Sequence, residues 1–345
     1  MAASTTPARW LRTAAFRLRS ELNQRGWHFH RLDEESRRYA MTSYNDAVPL
    51  PPGAAETLRA DNPDLQELVR AYDGLTDVPA AVPSLWTGAF VDDQVSLPYF
   101  RGDNAYVWQY RAFGGGAEAR TYLSVLDIEE RDHLGLLKVL EEDGLFGAWT
   151  FQFGERPLVS RDLLDSVTEI LYLDQQMGLA SRENLSVLDI GAGYGRLAHR
   201  MSTALPNLAG YDCMDGVPYS TFLSDYYLRF RGCGDHVRAV RLDRHQEMRD
   251  HYDVAVNIHS FTECSTAAIQ WWMDRVAERE VEWLLIVPNH DTDFLSTEPT
   301  GARLDFRPII ERAGYTLHDT SPRFANEELR PLIGINNHFF LFRRG

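Results

Sequence analysis

Lysine is almost missing from this 345-residue chain: Lys138 is the only one among 35 basic residues, and the rest are arginine. The arginine excess reads as the coding bias of a GC-rich genome, with a surface built of bidentate anion clamps as the other reading. Positive charge as a whole is also short, because 50 acidic side chains set the formal net charge at −15. A field of that sign repels phosphate backbones, so a nucleic-acid partner would need a local basic patch, and none is evident. Cysteine is scarce too. Cys213, Cys233 and Cys264 lack CxxC spacing, which points to neither a disulfide framework nor a zinc site and fits a reducing cytoplasm. No run of about eighteen apolar residues occurs, so no membrane-spanning helix is expected.

What is present is an ordinary globular composition, 44% hydrophobic, 25% charged and 12% aromatic, enough for a sizeable core in one or two domains. The N-terminus, MAASTTPARWLRTAAFRLRSEL, carries Arg9, Arg12, Arg17 and Arg19 before its first acid, Glu21. It reads as a helix with Trp10, Leu11, Ala14, Phe16 and Leu18 on its apolar face, and otherwise as a transit peptide. Residues 1–155 show no alternation of strand and helix. Helical runs at Ala55–Tyr72 and Ile128–Glu142 flank an aromatic segment, Leu97–Phe113, with Pro-rich breaks at 48–53 and 78–84.

From residue 156 to 345 helix and strand alternate, the pattern of a parallel sheet covered on both faces. Ser160 is placed to cap a helix running to Met177. Strands are expected at Ser186–Ile190, Gly210–Met214, Val237–Leu242, Tyr252–Ile258, Trp283–Pro288, Tyr315–Asp319 and His338–Arg343. Helices are expected at Leu197–Leu205, Tyr219–Arg229, Ala267–Arg279 and Asp305–Ala313, the last stopped by Gly314. The stretch from Thr320 to Asn337 reads as a loop. The fold class is therefore α/β: a doubly wound, Rossmann-like sheet over 156–345 preceded by a mainly helical cap over 1–155.

The most informative stretch is VLDIGAGYGRL, Val187–Leu197. A strand delivers Asp189, and Gly191, Gly193 and Gly195 then make a turn into a helix, where unusual dihedrals and close approach of a ligand call for glycine. The spacing is GxGxG, not the GxGxxG of dinucleotide binders. Asp189 sits two residues before the first glycine, where it would repel a diphosphate and suit a cationic or hydrogen-bond-donating ligand. S-adenosylmethionine has that character, whereas a nicotinamide cofactor does not. Asp215 ends the next strand, twenty residues past Gly195, and can accept from both ribose hydroxyls. Asp212 competes for that role from inside the strand. Asp243, at the end of the third strand, either accepts from the adenine amino group or caps a turn.

VLDIGAGYGRL, the acid of YDCMD and the run DVAVNIHSFTEC together resemble a class I S-adenosylmethionine-dependent methyltransferase. More narrowly, SRDLLDSV, NIHSFTE, LLIVPN and the terminal HFFLF are similar to the sugar O-methyltransferases of bacterial secondary metabolism and polysaccharide decoration, and this likeness reaches FRGDNAYVWQYR. The resemblance implies a reversed final strand, S-adenosylmethionine as donor, and O-methylation of a sugar hydroxyl on a glycosylated natural product or a nucleotide sugar.

An alcohol is protonated at neutral pH, so a positioned base is expected, and histidine is the usual choice. His259, at the end of the fourth strand, is the first candidate, with Glu263 one helical turn on to orient it or bind a substrate hydroxyl. His338 ranks second, on the last strand, and His290 third. Asn257, at the tip of the fourth strand, and Arg161, as a clamp for the methionine carboxylate or an exposed helix charge, complete the expected donor site. Tyr106, Trp108, Arg101 and His290 form the expected acceptor wall, unless the alternation in that segment marks a half-buried strand. No metal is expected, although His290 with Asp291 and Asp293 is the one credible divalent cluster. The expected partner is a small-molecule acceptor, with no nucleic acid or membrane and with a homo-oligomer compatible. The competing readings are N- or C-methylation of a non-sugar metabolite, and an inactive methyltransferase-like binding protein.

Overall fold

The computed structural model describes residues 41–109, 116–289 and 292–345, with scattered positions before residue 41. Trp10, Leu11, Ala14 and Phe16 of the expected N-terminal helix lie outside the described residues, and Leu18, expected on its apolar face, is exposed. Among the described residues no helix is long and apolar enough to cross a membrane.

Seven strands make the main sheet: β1 (Leu185–Ile190), β2 (Leu208–Met214), β3 (Val237–Val240), β4 (Val254–Ile258), β5 (Trp283–Val287), β6 (Tyr315–Pro322) and β7 (His338–Arg344). Their order is β3-β2-β1-β4-β5-β7-β6. β7 runs antiparallel to both β5 and β6, and the other neighbours are parallel. The doubly wound sheet and its reversed last strand are thus as expected. The sheet order turns between β1 and β4, which opens a crevice beyond the carboxyl ends of those two strands.

Side-chain period explains why these runs sit in the middle. In β1, Leu188 and Ile190 enter one apolar cluster, while Leu185 and Val187 enter the cluster on the opposite face. In β5, Leu284 and Ile286 face the first cluster and Trp283, Leu285 and Val287 the second. Strands buried on both faces need apolar residues at nearly every position; β5 has them throughout, and β1 departs only at Ser186 and Asp189.

The helices are α1 (Pro63–Asp73), α2 (Gly88–Gln94), α3 (Ala117–Glu129), α4 (Arg161–Met177), α5 (Arg196–Ala204), α6 (Pro218–Phe230), α7 (Thr266–Glu278) and α8 (Arg307–Arg312), with shorter turns between them. α4 starts where expected, with the Leu163 amide donating to Ser160 Oγ at 3.2 Å, and it stops at Gly178, whose φ is 67°. α8 is shorter than expected and is followed by Gly314 at φ 90°. The stretch read as a loop from Thr320 loses its first residues to β6 and contains a helical turn, Arg330–Ile333.

The N-terminal part departs further from expectation. The run Ala55–Tyr72 divides into a turn, Ala54–Thr57, and α1, because Pro63 holds Asn62 in an extended conformation (ψ 129°) and the Asn62 side chain caps the new helix. Ile128–Glu142 is not one helix either. α3 ends at Glu129, and Gly135, at φ 68°, starts a separate turn whose amides donate to Asp132. The aromatic segment contains no strand up to residue 109. It forms a 3-10 turn at Leu97–Tyr99 and a turn in which Asn104 Oδ1 accepts from the Tyr106 and Val107 amides.

Apolar packing runs across residue 155. Leu65, Leu68, Tyr72, Phe100 and Phe146 belong to the same cluster as Leu188 and Ile190. Tyr72 Oη lies 2.9 Å from Thr221 Oγ1 on α6 and accepts from the Leu242 amide at 2.7 Å.

A buried ionic network crosses the same boundary. Arg101 has no exposed surface; it donates to Asp162 at 2.8 and 3.1 Å and to Glu142 at 2.7 Å. Arg200 donates to the same Glu142 oxygen at 2.9 Å, and Tyr194 donates to Asp162 at 2.7 Å. Removing one partner of such a set leaves the other charges buried and uncompensated. Arg101→Met is therefore expected to cost about 3–5 kcal/mol in urea unfolding; a loss near that of an exposed ion pair would show that the network is not buried in solution.

Candidate functional site

The crevice is a cavity of about 680 Å³. Asp189, Gly191, Gly193, Asp215, Arg161, His259, Glu263, Tyr106 and Trp108 all line it, so these nine of the expected site residues share one cavity.

The glycine loop adopts left-handed dihedrals, with φ of 73° at Gly191, 57° at Gly193 and 81° at Gly195. Packing also excludes a side chain at Gly191 and leaves little room for one at Gly193 and Gly195. A Cβ on Gly191 would come within 2.2 Å of Ser260 Oγ, one on Gly193 within 3.2 Å of the Tyr106 ring, and one on Gly195 within 2.9 Å of Ser224 Oγ. Gly195 therefore serves the contact between α5 and α6 and lies outside the cavity lining, a correction to its expected ligand role.

Asp215 is fixed by its neighbours: the Gly193 amide donates to Oδ2 at 3.0 Å and the Val217 amide to Oδ1 at 2.9 Å. Burial raises its pKa to about 7 against those two hydrogen bonds. Burial likewise raises Asp189 to about 7, although the Tyr211 hydroxyl donates to it at 2.8 Å. Asp212 is not the competitor that its position allowed, because Arg238, Arg249 and the Tyr252 hydroxyl already occupy its carboxylate at 2.9, 3.2 and 2.6 Å.

His259 sits at the end of β4 with φ 70° and ψ −35°, a strained conformation for a residue with a side chain. Its amide donates to the Val287 carbonyl at 2.7 Å, and Nδ1 lies 3.3 Å from the Pro288 carbonyl, which requires the proton on Nδ1. Burial, with Arg323 next, lowers its pKa to about 3, so the ring is neutral and Nε2 is the basic nitrogen. The nearby cations are themselves paired. Arg323 lies 2.9 Å from Asp165 and 3.2 Å from Glu169, and Arg196 binds Glu169 at 2.9 and 3.0 Å.

Glu263 does not orient His259. It lies on a 3-10 turn, Ser260–Glu263, and its two oxygens accept from Trp86 Nε1 at 2.7 Å and Asn289 Nδ2 at 2.8 Å. Burial raises its pKa. The orienting partner of the imidazole is the Pro288 carbonyl instead.

Several expected site residues lie elsewhere. Arg101 is locked in the buried network and does not reach the acceptor wall. Asn257 has no exposed surface; Nδ2 donates to the Ile190 carbonyl at 2.8 Å and Oδ1 accepts from the Phe261 amide at 2.9 Å, so it braces the glycine loop against the turn after β4. Asp243 is held by Arg241 through two 2.9 Å hydrogen bonds, away from the cavity. His338 lies off the cavity with Nδ1 2.9 Å from the Asn336 carbonyl, although the preceding residues Gly334–Asn337 do line it. His290 and Asp291 lie outside the described residues.

Arg161 lines the cavity and is already engaged. It donates to the Trp108 carbonyl, stacks over the Trp108 ring with Cζ 5.0 Å from its centroid, and lies 3.5 Å from Asp165. Trp86, Trp272, Asp165, Arg196, Ser220 and Asn289 were not foreseen on the wall. Trp86 follows the Pro-rich break at 78–84, and Trp272 lies within α7; no local motif marks either.

No protein-family model matches this chain, and no curated protein matches it. Solved structures that align with it include the magnesium protoporphyrin IX methyltransferase ChlM from Synechocystis PCC 6803 with bound SAM, at 13% identity over 67% of this chain and 97% of that one, TM-score 0.39. The (4+2)-cyclase SpnF aligns at 13% identity over 66% of this chain and 96% of that one, TM-score 0.40. The mitomycin 7-O-methyltransferase MmcR aligns at 18% identity over 54% and 57%, TM-score 0.37. Likenesses this low carry no function across.

Because the folded pKa of Asp215 lies above its ordinary value, the carboxyl favours the folded state fully below about pH 4, and that contribution is lost as pH rises through 7. Ligand-free Asp215→Asn should lose less stability than wild type between about pH 5 and pH 8, by roughly 1–3 kcal/mol in urea unfolding. Parallel pH profiles would mean that burial does not raise this group.

Proposed function

We propose that this chain is an S-adenosylmethionine-dependent methyltransferase that O-methylates a sugar hydroxyl of a small-molecule acceptor. The observation that carries the reading is the meeting of three groups at the carboxyl ends of β1, β2 and β4: the glycine loop, the fixed carboxylate Asp215, and a neutral histidine with Nε2 as its basic nitrogen. The donor fits this wall chemically. Asp215 keeps acceptor capacity for two ribose hydroxyls beyond its two backbone bonds, Asp189 suits an ammonium, and Arg161 suits a carboxylate.

S-adenosylmethionine supplies a methyl group that is already activated, so the chain's own tasks are alignment, exclusion of water and acceptance of a proton. His259 Nε2 takes the hydroxyl proton as the oxygen attacks, while the Pro288 carbonyl holds the imidazole in the required tautomer. A free imidazole this depressed is a weak base. A ligand carboxylate at Arg161 would offset part of the positive field that lowers it, raising its basicity when the site is filled. Tyr106 and Trp108 offer aromatic faces to the acceptor, and Glu263 accepts from its hydroxyls.

A second reading, N-methylation, is favoured by one observation: Glu263 is a half-buried carboxylate beside Trp86, a pairing that suits an ammonium.

Calorimetric titration with S-adenosylmethionine should show binding that strengthens as pH rises through 7, when Asp215 and Asp189 ionise. Asp215→Ala should weaken it about tenfold or more. His259→Ala should lower kcat by about 100-fold while sparing donor affinity. Linkage of the product, read by NMR over a panel of glycosides and amines, separates O- from N-methylation. Absence of donor binding would leave a binding protein in place of an enzyme, and unchanged turnover in His259→Ala would remove the base assignment.

A further inference from the structure

A second cavity, of about 370 Å³, adjoins the first and is lined by Leu85, Trp86, Phe90, Asp103, Trp108 and Glu263, among others. The two cavities share Trp86, Ala105, Trp108 and Glu263, so the Trp86–Glu263 hydrogen bond stands at their junction. All of the smaller cavity's wall except Glu263 comes from residues 85–108.

The wall is selective in what it offers. The side-chain amide of Asn104 is used internally, accepting from Tyr106 and Val107 and donating to the Phe100 carbonyl. Asp103 accepts from the Gln109 amide at 2.7 Å. Gln94 donates from its side-chain amide to Asp93, and apart from it and Glu263 the remaining surface is aromatic and aliphatic: Trp86 meets Phe90 edge-on at 5.4 Å, and Leu85 and Trp108 are 38% and 47% exposed at the rim. Two carboxylates and no basic side chain line this cavity. Such a wall favours a neutral or cationic ring with apolar faces and disfavours a phosphate.

We propose that the smaller cavity is the subsite for the apolar, non-sugar portion of a glycoside acceptor, whose reacting sugar lies in the larger cavity. The proposal rests on the methyltransferase reading above and narrows it: the acceptor is an aryl or alicyclic glycoside, and a nucleoside-diphosphate sugar is disfavoured. Trp86 stands between the two parts of the acceptor, and Glu263, held by Trp86 and Asn289, faces both.

The test compares p-nitrophenyl hexosides and 6-deoxyhexosides with their methyl glycoside counterparts, on wild type, Leu85→Ser and Phe90→Ala. Two readouts are used, quenching of tryptophan fluorescence and methyl transfer. The aryl compounds should bind and show KM about tenfold lower than the methyl compounds in wild type. That advantage should disappear in both variants, with calorimetric affinity for S-adenosylmethionine retained. Equal affinity for the two series, a preference that survives both substitutions, or lower KM for a nucleoside-diphosphate sugar would overturn the subsite. If S-adenosylmethionine does not bind, the methyltransferase reading fails by itself. Aryl-dependent quenching that is lost in Leu85→Ser would then still support the apolar subsite, and its absence in wild type would overturn it.

Discussion

A guanidinium without any contact with water ties the N-terminal part of the chain to the sheet. Arg101 comes from the aromatic segment, Glu142 from just before the sheet region, and Asp162 from the first turn of α4. For Arg101 and Asp162 burial works against the charged form and their mutual pairing outweighs it. Arg161 and Asp165 are carried on that same first stretch of α4. Fixing Asp162 therefore also fixes where Arg161 stacks on Trp108 and where Asp165 meets Arg323. The Trp108 side of the cavity and the first turn of α4 share an anchor.

Within the cavity the same low dielectric acts on groups of both signs. It raises Asp189 and Asp215 to about 7 and lowers His259 to about 3. The site by itself is consequently less charged near neutrality than its composition suggests. A ligand that donates hydrogen bonds to the carboxylates stabilises their ionised form, and one that places an anion by the arginines makes the imidazole more basic. Binding and protonation are thus linked through groups that lie on one wall.

How far this was legible from the sequence depends on the distance between partners along the chain. The glycine loop, Asp215 and the Ser160 cap depend on neighbours close by or on the strand next to them, and local pattern was enough to place them. Arg101 resembled an acceptor-binding cation because Asp162 is 61 positions away, and nothing local indicates the pairing. Glu263 stands one helical turn from His259 in sequence, which suggested a dyad. Yet the stretch forms a 3-10 turn, and the carboxylate turns to Trp86, 177 positions away. Asn257 was expected to contact the donor and Asp243 either to do so or to cap a turn, because strand ends point at the crevice, but the side chains there also have to satisfy the loop backbone and a neighbouring arginine.

His259 shows how such a site is held in a conformation that its own residue disfavours. A side chain at φ 70° is costly, and an isolated β4 would relax it. Pairing of β4 with β5 brings the Val287 carbonyl to its amide and the Pro288 carbonyl to its ring, so one neighbouring strand end sets both backbone and tautomer. Asn257, two residues earlier, ties the same turn to the glycine loop through the Ile190 carbonyl, and Ser260, one residue later, occupies the space a Cβ on Gly191 would need. His259 and the glycine loop are therefore positioned against each other through Asn257 and Ser260, neither of which titrates. Their relative placement is insensitive to the ionisation of Asp189 and Asp215, and in the proposed function Trp86 and Trp108, from the N-terminal part, are left to distinguish one acceptor from another.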